Sequence, residues 1–386
     1  MTHLVFWGGV AWLAYVFVGY PLLLAILGMS RRTRDSRGAV EPLPCVSVLI
    51  AARNEEKDID WKIRETLDWD YPPDRLQILV ASDASEDHTD EIVQSIRDPR
   101  LIFVRMPQRS GKIIALNHLV ALAQGDVLFF TDANTSIGPR CAQKMVRHFA
   151  DPRVGCVTGW EGGSPSENQS LTVAGLASLG YEASLNTLES RLGSVLICDG
   201  SIFCIRASLY RPLHPDLAND LELPLWIGSQ GHKLLYEPEA RSTENATSSP
   251  GEEFQRRRRI CAQGLSGLWT LKNMLGGMRA WQFFSRKFLR WLTLVPLVMI
   301  LVSTFLLRSN PYFRFLLVTQ MVFYAVAAIG WLFAARGRKG SRVFSMPFYF
   351  LLLSSAAFVG VIEACFGRRF SVWDIASLSR GHEQGA

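Results

Sequence analysis

Cysteine patterns that build disulfide or zinc frameworks are missing from this chain of 386 residues. Its seven cysteines never form a C-x-x-C pair, and the seven histidines are scattered along the sequence. An odd, dispersed set of cysteines matches neither a disulfide scaffold nor a zinc site. The composition therefore favours free thiols in a reducing compartment.

Two common nucleotide-binding motifs are also absent. No G-x-G-x-x-G occurs, so a dinucleotide cofactor is unsupported. Ser110-Gly111-Lys112 resembles part of a Walker loop, but Met106 and Ile113 occupy positions that this motif gives to Gly and to Ser or Thr. A Gly-Lys pair that opens a helix can still direct amides and an ammonium at a phosphate. The sequence contains no nucleic-acid-binding motif, and we expect no nucleic-acid partner.

Long apolar runs, in contrast, are present at both ends of the chain. Hydrophobic residues make up 48% and charged residues 20%, with a net charge of +6, which indicates a soluble domain joined to membrane spans. Because ~20 apolar residues cross a bilayer, residues 1–30 are predicted to form an uncleaved anchor. The basic residues cluster beside the apolar runs, as the positive-inside rule expects. Further predicted segments are amphipathic interface helices at 263–290, about three spans within 291–366 (near 291–307, 315–335 and 343–362) and a tail at 367–386.

The segment between the anchor and the later spans alternates strands with helices. Four apolar runs read as buried strands, at 46–50, 76–80, 101–104 and 127–131, and the stretches between them are typical of helices. Such alternation predicts an α/β domain with a mostly parallel sheet, which we place at 40–262. Residues 242–253 read as a polar loop.

Acidic residues stand where two of these strands end. Asp83 follows one strand, and Asp132 and Asn134 follow another. Ligands bind at the carboxyl ends of strands in such sheets, and hard divalent cations prefer oxygen ligands. Taken alone, each of these residues also fits an Asx turn or a helix cap.

Two later features carry candidate roles. Asp220 precedes an apolar helix and is a candidate general base, although the local sequence alone favours a helix-capping role. Four arginines, Arg256 to Arg259, can bind phosphate through their guanidinium groups, and they also fit a juxtamembrane basic cluster.

In combination and in order, these motifs resemble the membrane-integrated branch of the family-2 glycosyltransferases, which includes cellulose, chitin, hyaluronan and poly-N-acetylglucosamine synthases. The resemblance runs from about residue 46 to 260 and implies a Rossmann-like GT-A fold flanked by transmembrane helices. It also implies roles for individual residues: the nucleotide-sugar pocket at Ala51, Ala52, Asn54, Glu55, Asp83, Lys112 and Asp132; a metal, Mg²⁺ or Mn²⁺, at Asp132 and Asn134; the catalytic base at Asp220; and contacts to the diphosphate and acceptor at Arg256 and Arg259.

The resemblance implies an inverting, metal-dependent enzyme that moves a sugar from a nucleotide sugar, with UDP expected, to a polysaccharide or lipid-linked acceptor. Membrane lipids and accessory polysaccharide-export proteins are the further partners it implies, at a bacterial inner membrane with the catalytic domain in the cytosol. This sequence departs from the family pattern in three places. Asn134 replaces the second Asp of the metal motif, and Ala218-Asn219 precede Asp220 in place of Thr-Glu. Where the processive synthases have Trp, this chain has Ile260 in one register of the last motif. In the other register, which begins at Gln255, it has Arg259 there and Arg258 at the conserved Arg.

These departures keep three alternatives open. One is non-processive transfer of a single sugar to a lipid carrier. Another is a nucleotidyl or sugar-phosphate transferase on a similar sheet, which would release pyrophosphate or a nucleoside monophosphate. The last is a membrane-bound nucleotide-sugar sensor that binds its ligand without consuming it.

Overall fold

A computed structural model describes residues 1–29, 42–162, 169–244, 249–336 and 341–367. Most of the predicted tail and of the basic segment after the anchor lie outside these ranges. Within them, a mixed sheet with helices on both faces forms the centre of the molecule. Long apolar helices from both ends of the chain pack beside it.

The sheet has eight strands within the described ranges, in the order β3-β2-β1-β4-β7-β6-β8-β5. The strands are β1 Val46–Ala52, β2 Leu76–Ser82, β3 Leu101–Arg105, β4 Val127–Asp132, β5 Thr135–Ile137, β6 Val154–Glu161, β7 Ile202–Arg206 and β8 Lys233–Glu244. Strands β1 to β4 pair in parallel, and β7 then runs antiparallel to both β4 and β6. The predicted α/β, mostly parallel sheet is confirmed.

Burial explains why the first four strands could be identified from sequence. All seven residues of β1 are buried, because helices cover both faces of the sheet. Val48 and Ile50 face one hydrophobic core, and Leu49 faces the other. Strands covered on both faces are continuously apolar. The register pairs Ala51 with Asp132, so the ends of β1 and β4 lie side by side.

The helices of the α/β domain are α3 Ile59–Leu67, α4 Thr89–Ser95, α5 Lys112–Val120, α6 Cys141–Val146, α7 Gln169–Arg191, α8 Asn219–Ser229 and α9 Pro250–Leu271, and they follow the N-terminal helices α1 Thr2–Ala14 and α2 Tyr20–Met29. Where the structure describes residues 242–253, they form the end of β8 and the start of α9, not a loop. The predicted domain boundary at residue 262 falls inside α9.

Three helices are long and apolar enough to cross a membrane, among the residues that the structure describes: Thr2–Met29, Pro311–Ala335 (α13) and Arg342–Cys365 (α14). Near 291–307, where the sequence predicts one span, the structure has a bent chain of shorter helices. Here α10 Met278–Phe283 and α11 Leu289–Trp291 lead into α12 Leu294–Leu306, and the chain bends by 55° at the break. With 13 residues, α12 is about 20 Å long, shorter than a hydrocarbon core of about 30 Å. It would cross only together with the preceding segment.

The last apolar helix is held against the α/β domain. In α14, 39% of the most apolar window is buried within the protein, compared with 11% in α13. A Cβ atom at Gly360 would lie 2.3 Å from the carbonyl oxygen of Arg258, so α14 and α9 are in backbone contact. This contact fixes the basic segment of α9 to a helix that is long and apolar enough to cross a membrane.

A buried polar network fastens the N-terminal helix to the same domain. The Tyr20 hydroxyl donates to Glu189 Oε1 at 2.5 Å, and Arg286 donates to Glu189 Oε2 at 2.5 Å. Tyr20 and Glu189 are fully buried. One carboxylate thus joins the N-terminal span, α7 and the segment that precedes α12.

Candidate active site

The loop after β1 is hydrogen-bonded to the loop after β2. The Ala52 carbonyl accepts from the Asp83 amide at 2.9 Å, and the Asn54 side chain accepts from the Glu86 amide at 2.9 Å. Asn54 has a positive φ of 53°, a region that Asn tolerates better than most residues. The Glu55 amide donates to the Thr89 hydroxyl at 2.8 Å. The predicted pocket residues Ala52, Asn54 and Glu55 therefore form one wall at the carboxyl end of the sheet.

Asp83 positions the turn that begins α5. Its side chain is fully buried, and its two oxygens accept from the amides of Ser110 (2.6 Å) and Gly111 (2.9 Å). Gly111 has φ 94°, which favours glycine at that position. The structure thus gives Asp83 a role in shaping the Gly-Lys turn. A contact with a nucleoside stays a prediction.

Lys112 and Asp132 meet at the centre of the site. The Lys112 ammonium is ion-paired with Asp132 Oδ1. Both side chains are partly exposed, so the pair is reachable from solvent. The sequence predicted each residue in the nucleotide-sugar pocket, and the fold brings them into direct contact.

Two residues of α3, the buried Lys62 and the half-buried Glu65, support the Asp132–Asn134 turn, and the sequence did not indicate either. The Lys62 ammonium, fully buried, donates to the Thr135 carbonyl at 2.5 Å. Burial lowers the pKa of Lys62 to about 8, and the negative charges of Glu65 and Asp132 oppose that shift. The Glu65 carboxylate accepts from the Ile137 amide at 3.0 Å. Asn134 is half-buried, and the strand that follows its turn, β5, is held by these hydrogen bonds to α3.

Asp220 lies in the first turn of α8, beside the loop that precedes β7. A Cβ atom at Gly200 would be 3.2 Å from Asp220 Oδ2, and the Cys198 amide donates to the Asp220 carbonyl at 3.1 Å. Burial raises the pKa of Asp220; the positive charge of Lys112 opposes the shift, and the negative charge of Asp132 adds to it. The fold thus brings Asp220, Lys112 and Asp132 from distant parts of the sequence close enough for their charges to interact.

The loop beside Asp220 contains a further polar residue that sequence reasoning missed. Asp199 accepts from the amide (3.0 Å) and hydroxyl (2.7 Å) of Ser201, and its own amide donates to Thr158 at 2.9 Å. Only the pair Asp199-Gly200, just before the apolar run that forms β7, could have suggested this loop. The contacts order the loop that borders the candidate base.

The four arginines occupy consecutive positions on α9 and point in different directions. Arg257 lies 3.9 Å from Glu253, and Arg258 lies 3.4 Å from Glu363 of α14. Arg256 and Arg259 are half-buried and lie three positions apart, so they share one side of the helix. Helix α9 packs against the Asp220 helix, with a Cβ at Gly267 falling 3.0 Å from Leu221. Contact of Arg256 or Arg259 with a diphosphate stays a prediction.

A metal would have few protein ligands in this site. Among the described residues, no group of three or more His, Cys, Asp or Glu side chains is arranged to hold an ion. Asp132 and Asn134 provide one carboxylate and one amide, both oxygen donors. Asp132 already binds a cation, the Lys112 ammonium. This donor set fits a hard divalent ion that takes its remaining ligands from a diphosphate and water.

Comparison with known proteins gives the class and then the family. A mannosyltransferase from Pyrobaculum calidifontis, solved with GDP-Man and Mn²⁺, superposes with a TM-score of 0.72 over 96% of this chain and 100% of that chain, at 19% sequence identity. At this identity the likeness shows the fold, which is that of the GT-A glycosyltransferases. More particularly, residues 47–211 match the model described as glycosyl transferase family 2, and the chain therefore carries a glycosyltransferase domain of that family.

Curated relatives are similar over this same region. A beta-monoglucosyldiacylglycerol synthase from Synechocystis sp. is 30% identical over 165 residues, which is 40% of this chain and 34% of that protein. An N-acetylglucosaminyltransferase from Rhizobium meliloti is 28% identical over 220 residues, covering 52% of this chain and 50% of that protein. The chain spans half or less of the length of these relatives. The predicted family-2 glycosyltransferase domain and its GT-A fold are confirmed.

Proposed function

We propose that this protein is an inverting, metal-dependent glycosyltransferase that moves a sugar from a nucleotide sugar to a polysaccharide or lipid-linked acceptor at a membrane face. The observation that carries the proposal is the convergence of Asp220, Lys112 and Asp132 at the carboxyl end of the sheet. An acid–base residue beside a cation and a metal-binding carboxylate suits attack at a sugar carbon with loss of a diphosphate. We expect UDP as the nucleotide.

Asp220 serves as the general base in this proposal. It removes the proton of an acceptor hydroxyl as the hydroxyl oxygen bonds to the anomeric carbon and the bond to the diphosphate oxygen breaks. Burial, which raises its pKa, makes the carboxylate a stronger base than an exposed aspartate. Attack from the face opposite the leaving group inverts the anomeric centre.

The leaving diphosphate acquires negative charge, which cations stabilise. A Mg²⁺ or Mn²⁺ ion held by Asp132 and Asn134 would supply Lewis-acid stabilisation of that charge. Lys112, at the start of α5, holds its ammonium beside Asp132, and it is proposed to bind the phosphates of the donor as well. Arg256 and Arg259 are proposed to cover the diphosphate from α9.

The acceptor is proposed to reach the site from the membrane. The relatives named above include a synthase of a glycosylated diacylglycerol and an N-acetylglucosaminyltransferase, which supports either a lipid or a glycan acceptor. Ile260 replaces the aromatic residue of the processive synthases and is 44% exposed, so an aromatic platform for a growing chain is missing at that position. This favours transfer of one or a few sugars as the second candidate. We place the catalytic domain on the cytosolic side of a bacterial inner membrane, with polysaccharide-export proteins as further partners if the product is a polymer.

The test is donor-dependent release of nucleoside diphosphate. The full chain in lipid nanodiscs, supplied with Mn²⁺ or Mg²⁺ and an extract of membrane lipids and glycans as acceptors, is incubated with a panel of nucleotide sugars. Asp220→Asn should lower turnover by roughly 10²–10⁴-fold while nucleotide binding survives. Asp216→Asn, the same change at an exposed position of the preceding loop, is the matched control.

Three other outcomes of this assay would contradict the proposal. Release of pyrophosphate or a nucleoside monophosphate would indicate the other transferase class. Nucleotide-sugar binding without turnover of any donor would indicate a sensor. Turnover of Asp220→Asn within a few-fold of wild type would remove the base assignment.

A further inference from the structure

A cavity of about 260 Å³ lies outside the candidate active site, between the membrane-associated helices and the α/β domain. Its walls come from five parts of the chain: the N-terminal span (Phe17), α7 (Tyr181), α9, α11 (Trp291) and α14 (Tyr349 and Phe350). The lining is mainly aromatic and aliphatic. Its volume is slightly below the roughly 300 Å³ at which sites for drug-sized ligands begin, enough for a headgroup and the first part of a chain.

Two guanidinium groups stand in this mainly apolar wall, which also contains the hydroxyl groups of Thr293 and Ser354. Arg257 comes from α9 and Arg290 from α11, and the two side chains are only 28% and 17% exposed. They therefore do not simply extend into water, as arginines at a membrane interface commonly do. The Nε–H group of Arg257 is buried and makes no hydrogen bond. A buried, unpaired donor of this kind is costly unless a ligand supplies an acceptor.

Arg257 and Arg290 belong to a larger charge cluster, in which the cations outnumber the carboxylates that they contact. Glu182 alone is shared by Arg286, Arg290 and Lys287. Across the described residues of this cluster, four cations, including Arg257, face three carboxylates: Glu182, Glu189 and Glu253.

The pKa of the Cys261 thiol shows the influence of three of these cations. Burial raises its pKa to about 11, and the positive charges of Arg257, Lys287 and Arg290 limit that rise. The three cations therefore act on one point of α9, at the level of the cavity. An occupant that balances this charge must be anionic at one end and apolar at the other.

We infer that this cavity binds a phosphate-bearing lipid, with its phosphate between Arg257 and Arg290 and its chain against Phe17 and the aromatic face of α14. Guanidinium groups pair bidentately with phosphate, and the aromatic wall suits a hydrocarbon chain. Two sources share this chemistry, a bilayer phospholipid and an isoprenyl phosphate carrier. The second source rests on the proposed function, because the carrier would be an acceptor.

The test is lipid binding by the full chain in detergent, measured by native mass spectrometry without any nucleotide sugar. The probes are dioctanoyl phosphatidylglycerol and farnesyl phosphate, each compared with its neutral counterpart, dioctanoylglycerol or farnesol. We expect at least one phosphate probe to bind 10-fold or more tightly than its neutral counterpart, and the tighter phosphate probe identifies the source. Equal binding of neutral and phosphate probes, or no binding of any probe, overturns the inference.

Variants localise the binding. Arg257→Gln should weaken the phosphate probe by about 10- to 100-fold, the value of one charge-assisted hydrogen-bonded contact, and Arg257→Lys should restore part of the loss. Lys272→Gln removes one positive charge at an exposed position and should leave binding unchanged. If Arg257→Gln binds as wild type does, the inference fails. If Arg257→Gln does not fold, the comparison of phosphate and neutral probes on the wild-type chain still decides the matter.

This assay is independent of transfer chemistry. Loss of lipid selectivity with intact release of nucleoside diphosphate would refute the lipid site alone. Selective binding without release from any donor would leave the lipid site standing and refute the proposed function.

Discussion

Lys62→Met probes the buried ammonium beneath the Asp132–Asn134 turn. The pKa of Lys62 falls from 10.5 to about 8 on folding, chiefly because the group is buried. Because one pKa unit corresponds to about 1.4 kcal/mol, keeping the charge in the folded protein costs roughly 3 kcal/mol. With the folded pKa below the unfolded one, that cost is present in full below pH 8 and is relieved as the pH rises to 10.5.

The assay is the free energy of unfolding of the wild type and of Lys62→Met, measured from pH 7 to 9.5 under matched conditions. Between pH 8 and 9.5 the wild type should gain about 2 kcal/mol relative to the variant, because methionine cannot titrate. Lys272→Met, an exposed lysine, is the control and should show the wild-type pH dependence. Parallel curves for wild type and Lys62→Met would refute the reasoning. The variant also leaves the Thr135 carbonyl without its donor, so we expect it to need more Mn²⁺ for half-maximal activity.

Three further predictions concern the site and its attachment to the membrane helices. Because the pKa of Asp220 is raised on folding, its charged carboxylate lowers the stability of the folded protein at pH values above that pKa. Asp220→Asn should therefore raise the melting temperature at pH 7, and this gain should vanish below about pH 4. A lower melting temperature of the variant at pH 7 would contradict this. Asp132→Ala should weaken the Mn²⁺-dependent part of nucleotide binding by at least about 10-fold in isothermal titration calorimetry, because the ion loses its carboxylate, and an unchanged Mn²⁺ dependence would exclude the assigned metal site. Gly360→Ala forces α14 away from the Arg258 carbonyl and should destabilise the protein by about 1–3 kcal/mol. The control is Gly180→Ala, where a Cβ meets no atom within 4 Å and no destabilisation is expected. Equal melting temperatures for the two variants would show that the close contact of α9 and α14 is not needed.

The first half of the sheet could be predicted because each strand is covered on both faces. The run Val127–Asp132 is apolar until it reaches the site, where the acidic turn begins, and this change marks both the strand and its functional end. The later strands gave weaker signals, because β7 and β8 obtain their burial from partners distant in sequence. The long helix α7 was also not predicted, and its apolar residues follow no clear helical period.

The site itself was predictable in its residue types but not in its contacts. Asp132, Lys112 and Asp220 are polar residues at element ends, a position that sequence reasoning can detect. Lys62 and Glu65 look like surface residues of α3, and their hydrogen bonds to Thr135 and Ile137 of β5, which are 73 and 72 residues further along the chain, depend on tertiary structure. The pairing of Asp83 with the Ser110 and Gly111 amides likewise depends on tertiary structure.

The carboxylate of Glu189 that joins the N-terminal span to the domain also sets an order of events during synthesis. Glu189 follows Tyr20 by 169 residues, and Arg286 follows Glu189 by another 97. At roughly 5–20 residues per second, the ribosome makes the last member of this trio tens of seconds after the first. The α/β domain is therefore translated while its N-terminal helix is already available for membrane insertion. Its final docking waits for a segment near the C-terminal helices. With the chain placed at a membrane as proposed, the nascent domain therefore completes its folding while it is tethered to the bilayer.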